Sequence, residues 1–407
     1  MQNSILFLTY WSYPDALIQT YTLPYVRIIR KNLPPGSSVF LLTLEKDQAI
    51  LEKSNRDKIA EQLQNEGIHW LPFTYRPFGF SAFILWTGIS FKLCSIIIGR
   101  KISVIHCWCT PAGAIGHFLS VVFNRKLIID SYEPHAEAMI ENGTWKKGSL
   151  AFRLLFWLEK KQTQRAEVVI SATEGMRGYA LSKYNVSIKT FYVKPACVDL
   201  DIFSEKDIKN KGLLMQLELT DKIICVYAGK FGGIYLEDEV FDFLKVAYDH
   251  WGDAFRVLLL TNTSEEKLRE YCNRSNVPFE IVISLFVPHA KIPSYLGLAD
   301  FALCPVKPIP TKRYCTPIKN GEYWALGLPV IIPKGISDDA QIIEDNSVGA
   351  VWTKFEKQEY VQSVAVLDSI LQTPPSVRFR KIREIAIQYR SFKIAETVYN
   401  QVYVARS

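Results

Sequence analysis

The chain contains no Cys-x-x-Cys pair. Its eight cysteines, Cys94, Cys107, Cys109, Cys197, Cys225, Cys272, Cys304 and Cys315, are scattered over 407 residues. That spacing excludes a disulfide-stapled scaffold, which concentrates cysteine in a short chain. Most of them sit in apolar runs such as 223–227 and 301–305. A free thiol there behaves as a small buried hydrophobe. Cys107 and Cys109 lie close together, but no second ligand pair stands near them to complete a metal site. No acidic pair with divalent-metal spacing stands out either, so no bound metal is expected. Low-complexity tracts and residue-level repeats are also missing.

The charge excess is small. Forty-eight Lys and Arg face 41 Asp and Glu, a formal net charge of +7. A nucleic-acid binder concentrates its excess in one patch, so no nucleic-acid partner is expected. An anionic small substrate or an anionic membrane surface fits the modest excess. No basic, apolar leader precedes the run 5–9, so no signal peptide is read and a cytoplasmic location is the expectation. The most apolar stretch, 78–98, contains Lys92, Ser81, Thr87 and two glycines. A membrane span needs about 20 largely uncharged residues. The stretch therefore predicts an apolar helix feeding the strand at Val104-Ile105-His106.

What the chain does have is a rhythm. Apolar runs at 5–9, 39–43, 104–107, 127–130, 168–171 and 190–193 alternate with helical patterns such as 17–31 and 149–165. Continuous rather than alternating apolar runs mark strands of a parallel sheet buried on both faces. After a polar stretch at 204–221 the rhythm restarts, with runs at 223–227, 257–260, 280–284, 301–304 and 330–332. The fold class predicted is α/β, two Rossmann-like doubly wound domains facing a cleft. The domains expected are 1–203 and 204–374, with helices at 375–407 packing back toward the first. Ligands of such sheets bind at the C-terminal ends of the strands. That architecture serves a transferase, an epimerase or a sugar-binding protein equally well.

One segment carries more chemistry than the rest: Thr316-Pro317-Ile318-Lys319-Asn320-Gly321-Glu322-Tyr323-Trp324-Ala325-Leu326-Gly327-Leu328-Pro329-Val330. Pro317 suits the start of a helix, and Gly327 with Pro329 its end. Free N–H groups at such a start suit a diphosphate. Lys319 and Glu322 stand one turn apart. The carboxylate suits a ribose diol; a solvated surface ion pair explains the two residues equally well.

This segment resembles the P-x-K-x-x-E-Y-x-A-x-G-x-P-V stretch of the family 4 glycosyltransferases, retaining enzymes of the GT-B fold. Further likenesses follow the family's order. They are Pro195-Ala196-Cys197-Val198-Asp199 with Phe203, the run from Val287 through His289, Pro293, Tyr295 and Leu296 to Ala299-Asp300, and Glu344 to Gly349. Glu159, Ala166-Glu167 and 168–171 resemble its E…A-D-x-V-I-x-x-S pattern. The resemblance implies a hexosyltransferase-like enzyme that moves a sugar from a nucleotide-diphosphate sugar to a hydroxyl acceptor. The acceptor implied is a glycan or lipid-linked glycan of cell-surface polysaccharide synthesis. It also implies no cofactor beyond the donor. Glu322 matches the second Glu of the family's Glu–any seven–Glu motif and would bind the ribose. Gly229 and Lys230 match its Gly-Lys, and Lys230, Lys319, Thr316 and Pro317 would hold the diphosphate. Preorganised charge of that kind stabilises a leaving group without a metal. Tyr132 falls where the family often has a His near the sugar, with Glu133 and His135 beside it, so these three are the catalytic candidates. The chain departs from the pattern at Tyr314, where the first Glu would stand. It departs again at Tyr235 in place of a second base, and at Tyr13-Pro14-Asp15-Ala16 in place of Gly-Gly. Those departures keep a non-catalytic partner subunit open, and the architecture keeps open an enzyme resembling a sugar-nucleotide 2-epimerase. Finally, Lys146, Lys147, Lys160 and Lys161 flank an aromatic helical pattern that suits peripheral contact with an anionic membrane or packing on its own sheet.

Overall fold

The apolar runs form strands buried on both faces. The computed structural model describes residues 4–76 and 80–403. Phe78 and Gly79, the start of the apolar stretch, lie outside the described residues. The chain divides into two compact units. The first joins 1–194 with 393–407, and the second is 195–392.

The first unit holds a seven-stranded sheet, all parallel, in the order β3-β2-β1-β4-β5-β6-β7. Its strands are β1 Ser4–Leu8, β2 Val39–Glu45, β3 Ile68–Thr74, β4 Ile102–Trp108, β5 Lys126–Tyr132, β6 Val168–Ser171 and β7 Phe191–Val193. Every residue of β1 and β2 is buried. The apolar stretch forms helix Phe80–Gly99, which feeds β4. No described helix is long and apolar enough to cross a membrane.

The second unit repeats the plan with six parallel strands in the order β10-β9-β8-β11-β12-β13. They are β8 Ile223–Ala228, β9 Phe255–Leu260, β10 Val282–Leu285, β11 Phe301–Leu303, β12 Val330–Pro333 and β13 Gly349–Trp352. Alternate side chains face alternate sides. Ile224, Val226, Leu258 and Val330 pack with helices Ile318–Ala325 and Pro375–Arg390 on one face. Cys225, Tyr227, Val257 and Leu259 pack with helices Asp238–Trp251 and Lys357–Leu371 on the other. Residues 195–203 group with this unit. Ala196 N donates to Thr316 Oγ1 at 2.7 Å, and Val198 N donates to Arg390 O at 2.8 Å. The last helix, Phe392–Tyr403, runs on into residues that group with the first unit.

Two strands escape the sequence reading, β3 and β13, and both are sheet edges. β3 carries Pro72, opposite Thr43 of β2. A proline donates no ladder hydrogen bond and is tolerated only where one side of the strand is open. β13 is four residues long and opens on a glycine, so it lacks the long apolar run that marks central strands.

Candidate functional site

In the second sheet the chain winds one way from β8 to β9 and β10, and the other way from β11 to β12 and β13. The switch point falls between β8 and β11, and ligands of doubly wound sheets bind outside the strand ends at such a point. A pocket opens there. Cys304 and Pro305, just past β11, line it with Tyr235 from the loop after β8 and with Lys312, Thr316 and Lys319. Two ammonium groups and no carboxylate stand in this lining.

Each wall has a local cause. β8 ends at Ala228, and Gly229 follows at φ 155°. A Cβ on Gly229 would come within 2.7 Å of the Tyr227 hydroxyl and 3.1 Å of Lys319 Cε. Glycine is therefore the residue that lets the Lys319 stem lie against the strand end. The loop then turns through Gly232 and Gly233, at φ 80° and 62°, which only glycine adopts readily. That turn delivers Tyr235. Lys319 Nζ donates to Tyr235 Oη at 3.2 Å and lies 4.9 Å from the ring centre. Burial works against the Lys319 charge, but its contacts, Tyr235 first among them, outweigh it and raise the pKa.

Pro317 stands immediately before helix Ile318–Ala325 in an extended conformation, and the helix itself is anchored from behind. Asn320 Nδ2 donates to Asp339 Oδ2 at 2.5 Å, Asp339 pairs with Arg390, and Arg390 lies 5.1 Å over the Trp324 ring. Glu322 is buried on the same helix. Burial pushes its carboxyl up to about 7, with Lys319 pulling the other way. Such a carboxyl changes charge near neutral pH.

The structure thus brings Thr316, Pro317 and Lys319 around one pocket, with Gly229 against the Lys319 stem and Glu322 on the helix that forms its wall. Lys230 follows Gly229 but is exposed and does not line the pocket; its carbonyl accepts from Tyr227 Oη at 2.7 Å. Lys312 lines the pocket, whereas Arg313 next to it is exposed. Tyr235, which breaks a motif in the sequence, is the partner of Lys319.

The first unit holds the other three candidates. Tyr132 ends β5 and turns inward, 1% exposed, with its hydroxyl 2.6 Å from Thr163 Oγ1. Burial pushes its pKa up. Glu133 and His135 are half-buried, with His135 Nδ1 3.4 Å from Glu133 Oε1. Glu159 lies beneath them, fully buried. It accepts from Ala136 N at 2.9 Å and from Tyr184 Oη at 2.8 Å. Burial pushes Glu159 up to about 7 as well, against those hydrogen bonds. In the loop after β1, where the resembled family has two glycines, Glu45 organises the backbone. Its carboxylate accepts from Ser12 Oγ at 2.5 Å and Tyr13 N at 3.1 Å.

A second buried cluster centres on Asp130, one residue before a Ser131 held at φ 51°. Asp130 lies 3.4 Å from both Lys194 Nζ and His106 Nε2 and accepts from Tyr399 Oη at 2.6 Å. Burial pushes its carboxyl up, but Lys194, His106 and Tyr399 outweigh burial and hold it down at about 2. His106 Nδ1 is 2.6 Å from Tyr403 Oη. Among the described residues no group of His, Cys, Asp and Glu is arranged to hold a metal.

No family model and no curated protein sequence matches the chain. Solved structures do. HepE of Anabaena, crystallised with UDP, is 15% identical over 99% of each chain, with a TM-score of 0.73. Sucrose-phosphate synthase from Thermosynechococcus elongatus is 14% identical over the whole of both chains, TM-score 0.71. WaaG, a glycosyltransferase involved in lipopolysaccharide biosynthesis, is 12% identical over 98% of this chain and 99% of its own, TM-score 0.68. At such identities the likeness establishes the fold: two parallel-sheet Rossmann-like α/β domains, the architecture of these GT-B proteins.

Proposed function

We propose that the protein is a glycosyltransferase of the family 4 type that moves a sugar, with retention, from a nucleotide-diphosphate sugar to a hydroxyl acceptor. The observation that carries this reading is the Lys319 pocket. A half-buried cation, held by Tyr235 and given room by Gly229, faces a pocket at the switch point of a doubly wound sheet. An ammonium in that setting offsets the charge that develops on a leaving diphosphate. The free N–H groups at the start of helix Ile318–Ala325 add to it. Glu322, on the same helix, is the group suited to a ribose diol. HepE was crystallised with UDP and with UDP-glucose, which supports a nucleotide sugar as donor. Beyond the donor the reaction needs no cofactor. In this reading the acceptor is a glycan or lipid-linked glycan of cell-surface polysaccharide synthesis. It is met at the cytoplasmic face of the membrane by the first unit, where the half-buried Glu133 and His135 are the candidates for contact with the reacting sugar.

A second reading, a GT-B-fold partner subunit that binds a nucleotide without turnover, is favoured by Tyr314 and by the inward turn of Tyr132. Both readings predict that Lys319→Ala weakens nucleoside diphosphate binding. A charged hydrogen bond contributes about 1.5–3 kcal/mol, so the loss is roughly 10- to 150-fold. Calorimetry with uridine, guanosine and adenosine diphosphates reads it, and unchanged affinity in a folded variant would overturn both. Release of sugar from a panel of nucleotide sugars separates the two readings.

A further inference from the structure

Charge in the Lys319 pocket is one-sided. Lys312 and Lys319 both line it, and among the described residues no carboxylate does. Glu322, one turn along the helix from Lys319, is buried and lies outside the lining.

The two cations stand on different supports. Lys319 belongs to helix Ile318–Ala325, and its ammonium donates to Tyr235. The free N–H groups at the start of that helix stand close to it in the chain, so the charge of a diphosphate is met there. Lys312 comes from the turn Pro310–Tyr314. Its backbone is anchored on both sides. The nitrogen donates to Ile309 O at 2.9 Å, and the oxygen accepts from Ser337 N at 3.0 Å and from Cys315 N at 3.3 Å. Thr311, next to it, is buried. The turn therefore presents the Lys312 side chain to the pocket and leaves Arg313 exposed outside it. Asp339 ties the two supports together. It accepts from Asn320, on the helix of Lys319, and from Ser337 Oγ at 2.8 Å, under the turn of Lys312. Both cations are held before any ligand arrives.

A lysine ammonium donates three hydrogen bonds and accepts none, and its strong partners are anionic oxygens. The hydroxyls of a neutral hexose are better met by carboxylates, which this lining lacks. Two like charges in a partly buried pocket also disfavour each other until an anion joins them. The diphosphate answers one of them, at Lys319 and the helix start. A second cation, on its own support, implies a second anionic group on the ligand.

We propose that the donor sugar is acidic: a nucleotide-diphosphate uronic acid, its carboxylate held by Lys312 and its diphosphate by Lys319. The proposal rests on the donor reading of this pocket and names the substrate class within it.

The test is calorimetric titration of the full chain with two series. One is UDP, UDP-glucose and UDP-glucuronic acid; the other is GDP, GDP-mannose and GDP-mannuronic acid. Within each series the two sugars differ only in a carboxylate against a hydroxymethyl group. In one series the acid is expected to bind on the order of tenfold more tightly than its neutral partner or better, the ratio that a charged hydrogen bond supplies. That preference shrinks as salt rises. Lys312→Gln is expected to erase the preference and to change affinity for the free diphosphate much less. Lys312→Arg keeps the charge and is expected to retain part of the preference. Lys319→Ala weakens all members of a series alike. Thermal melts check that each variant folds. An acid bound no more tightly than its neutral partner in both series overturns the proposal, while binding of the free diphosphate still supports the donor reading. Equal weakening of diphosphate, neutral sugar and acid in Lys312→Gln also overturns it, because Lys312 then serves the diphosphate. No binding of any diphosphate overturns the donor reading and this proposal with it.

Discussion

Glu322 makes a prediction about stability as well as binding. Its carboxyl is raised from an ordinary 4.5 to about 7, chiefly by burial. In the unfolded chain the group ionises at its ordinary value. Between about pH 4.5 and pH 7 the folded protein therefore holds a proton that the unfolded chain has lost. The sign follows: stability is full at the acid end, falls as pH rises through that window, and levels off above it. A rise from 4.5 to about 7 corresponds to about 3 kcal/mol at 1.36 kcal/mol per pH unit. Glu322→Gln keeps the shape and removes the ionisation. At pH 8 the variant is expected to be more stable than wild type by up to about 3 kcal/mol, and at pH 4.5 the two converge. For a unit of this size that is on the order of 6–12 °C in Tm. Yet the same variant binds nucleoside diphosphate more weakly, because a neutral amide accepts the diol hydroxyls less strongly than a carboxylate. Differential scanning calorimetry from pH 4.5 to 8, with calorimetric titration at pH 8, reads both effects. A Gln variant with the wild-type pH profile would refute the buried-carboxyl argument. A variant that gained stability and kept full nucleotide affinity would refute the ribose role while leaving the electrostatics standing.

Two further expectations concern charge elsewhere. Asp130→Asn leaves Lys194 buried beside a neutral amide and takes an acceptor from Tyr399. Breaking a buried pair from one side typically costs about 3–5 kcal/mol. Because the Asp130 carboxyl sits near 2, the wild-type advantage is present above the ordinary value of 3.8 and is lost as pH falls through 2; urea unfolding at pH 7 and at pH 3 checks it. If Lys319 and a helix N-terminus supply the charge opposite the leaving diphosphate, transfer survives excess EDTA. Loss of turnover reversed by Mg²⁺ or Mn²⁺ would overturn that assignment.

The central strands were legible because burial on both faces writes a continuous apolar run into the sequence. β1, β2, β8 and β12 are of that kind. β3 and β13 were not legible because Pro72 interrupts the first and the second is four residues long and opens on a glycine, whereas the other two edges, β7 and β10, carry apolar runs. Of the residues visible as a motif, Thr316, Pro317 and Lys319 line the pocket beside β8 and β11, and Gly229 stands against the Lys319 stem. Lys312 was not visible. It and Arg313 are adjacent cations in the sequence, and only the turn between Pro310 and Tyr314 decides which of them lines the pocket.

Tyr235 shows where motif reasoning stops. In the sequence it counts against the site, as an aromatic where a second cation would stand. In space it is the hydroxyl that Lys319 donates to and the ring that Lys319 rests over. A motif records which residue type stands at a position, whereas the field in a pocket depends on which groups meet there. A phenol in place of a further cation adds no charge beside Lys312 and Lys319, but it fixes the Lys319 ammonium beside Gly229. A positioned, partly buried ammonium acts more strongly on a nearby phosphate than a mobile one in water, because the lower dielectric that penalises its burial also strengthens its field. The departure at Tyr235 is therefore compatible with the proposed role of this pocket in binding a diphosphate. Tyr314 stands where the resembled family has a carboxylate and lies outside the pocket's lining, so in the proposed reaction the donor sugar is where this chain is expected to differ most from the family it resembles.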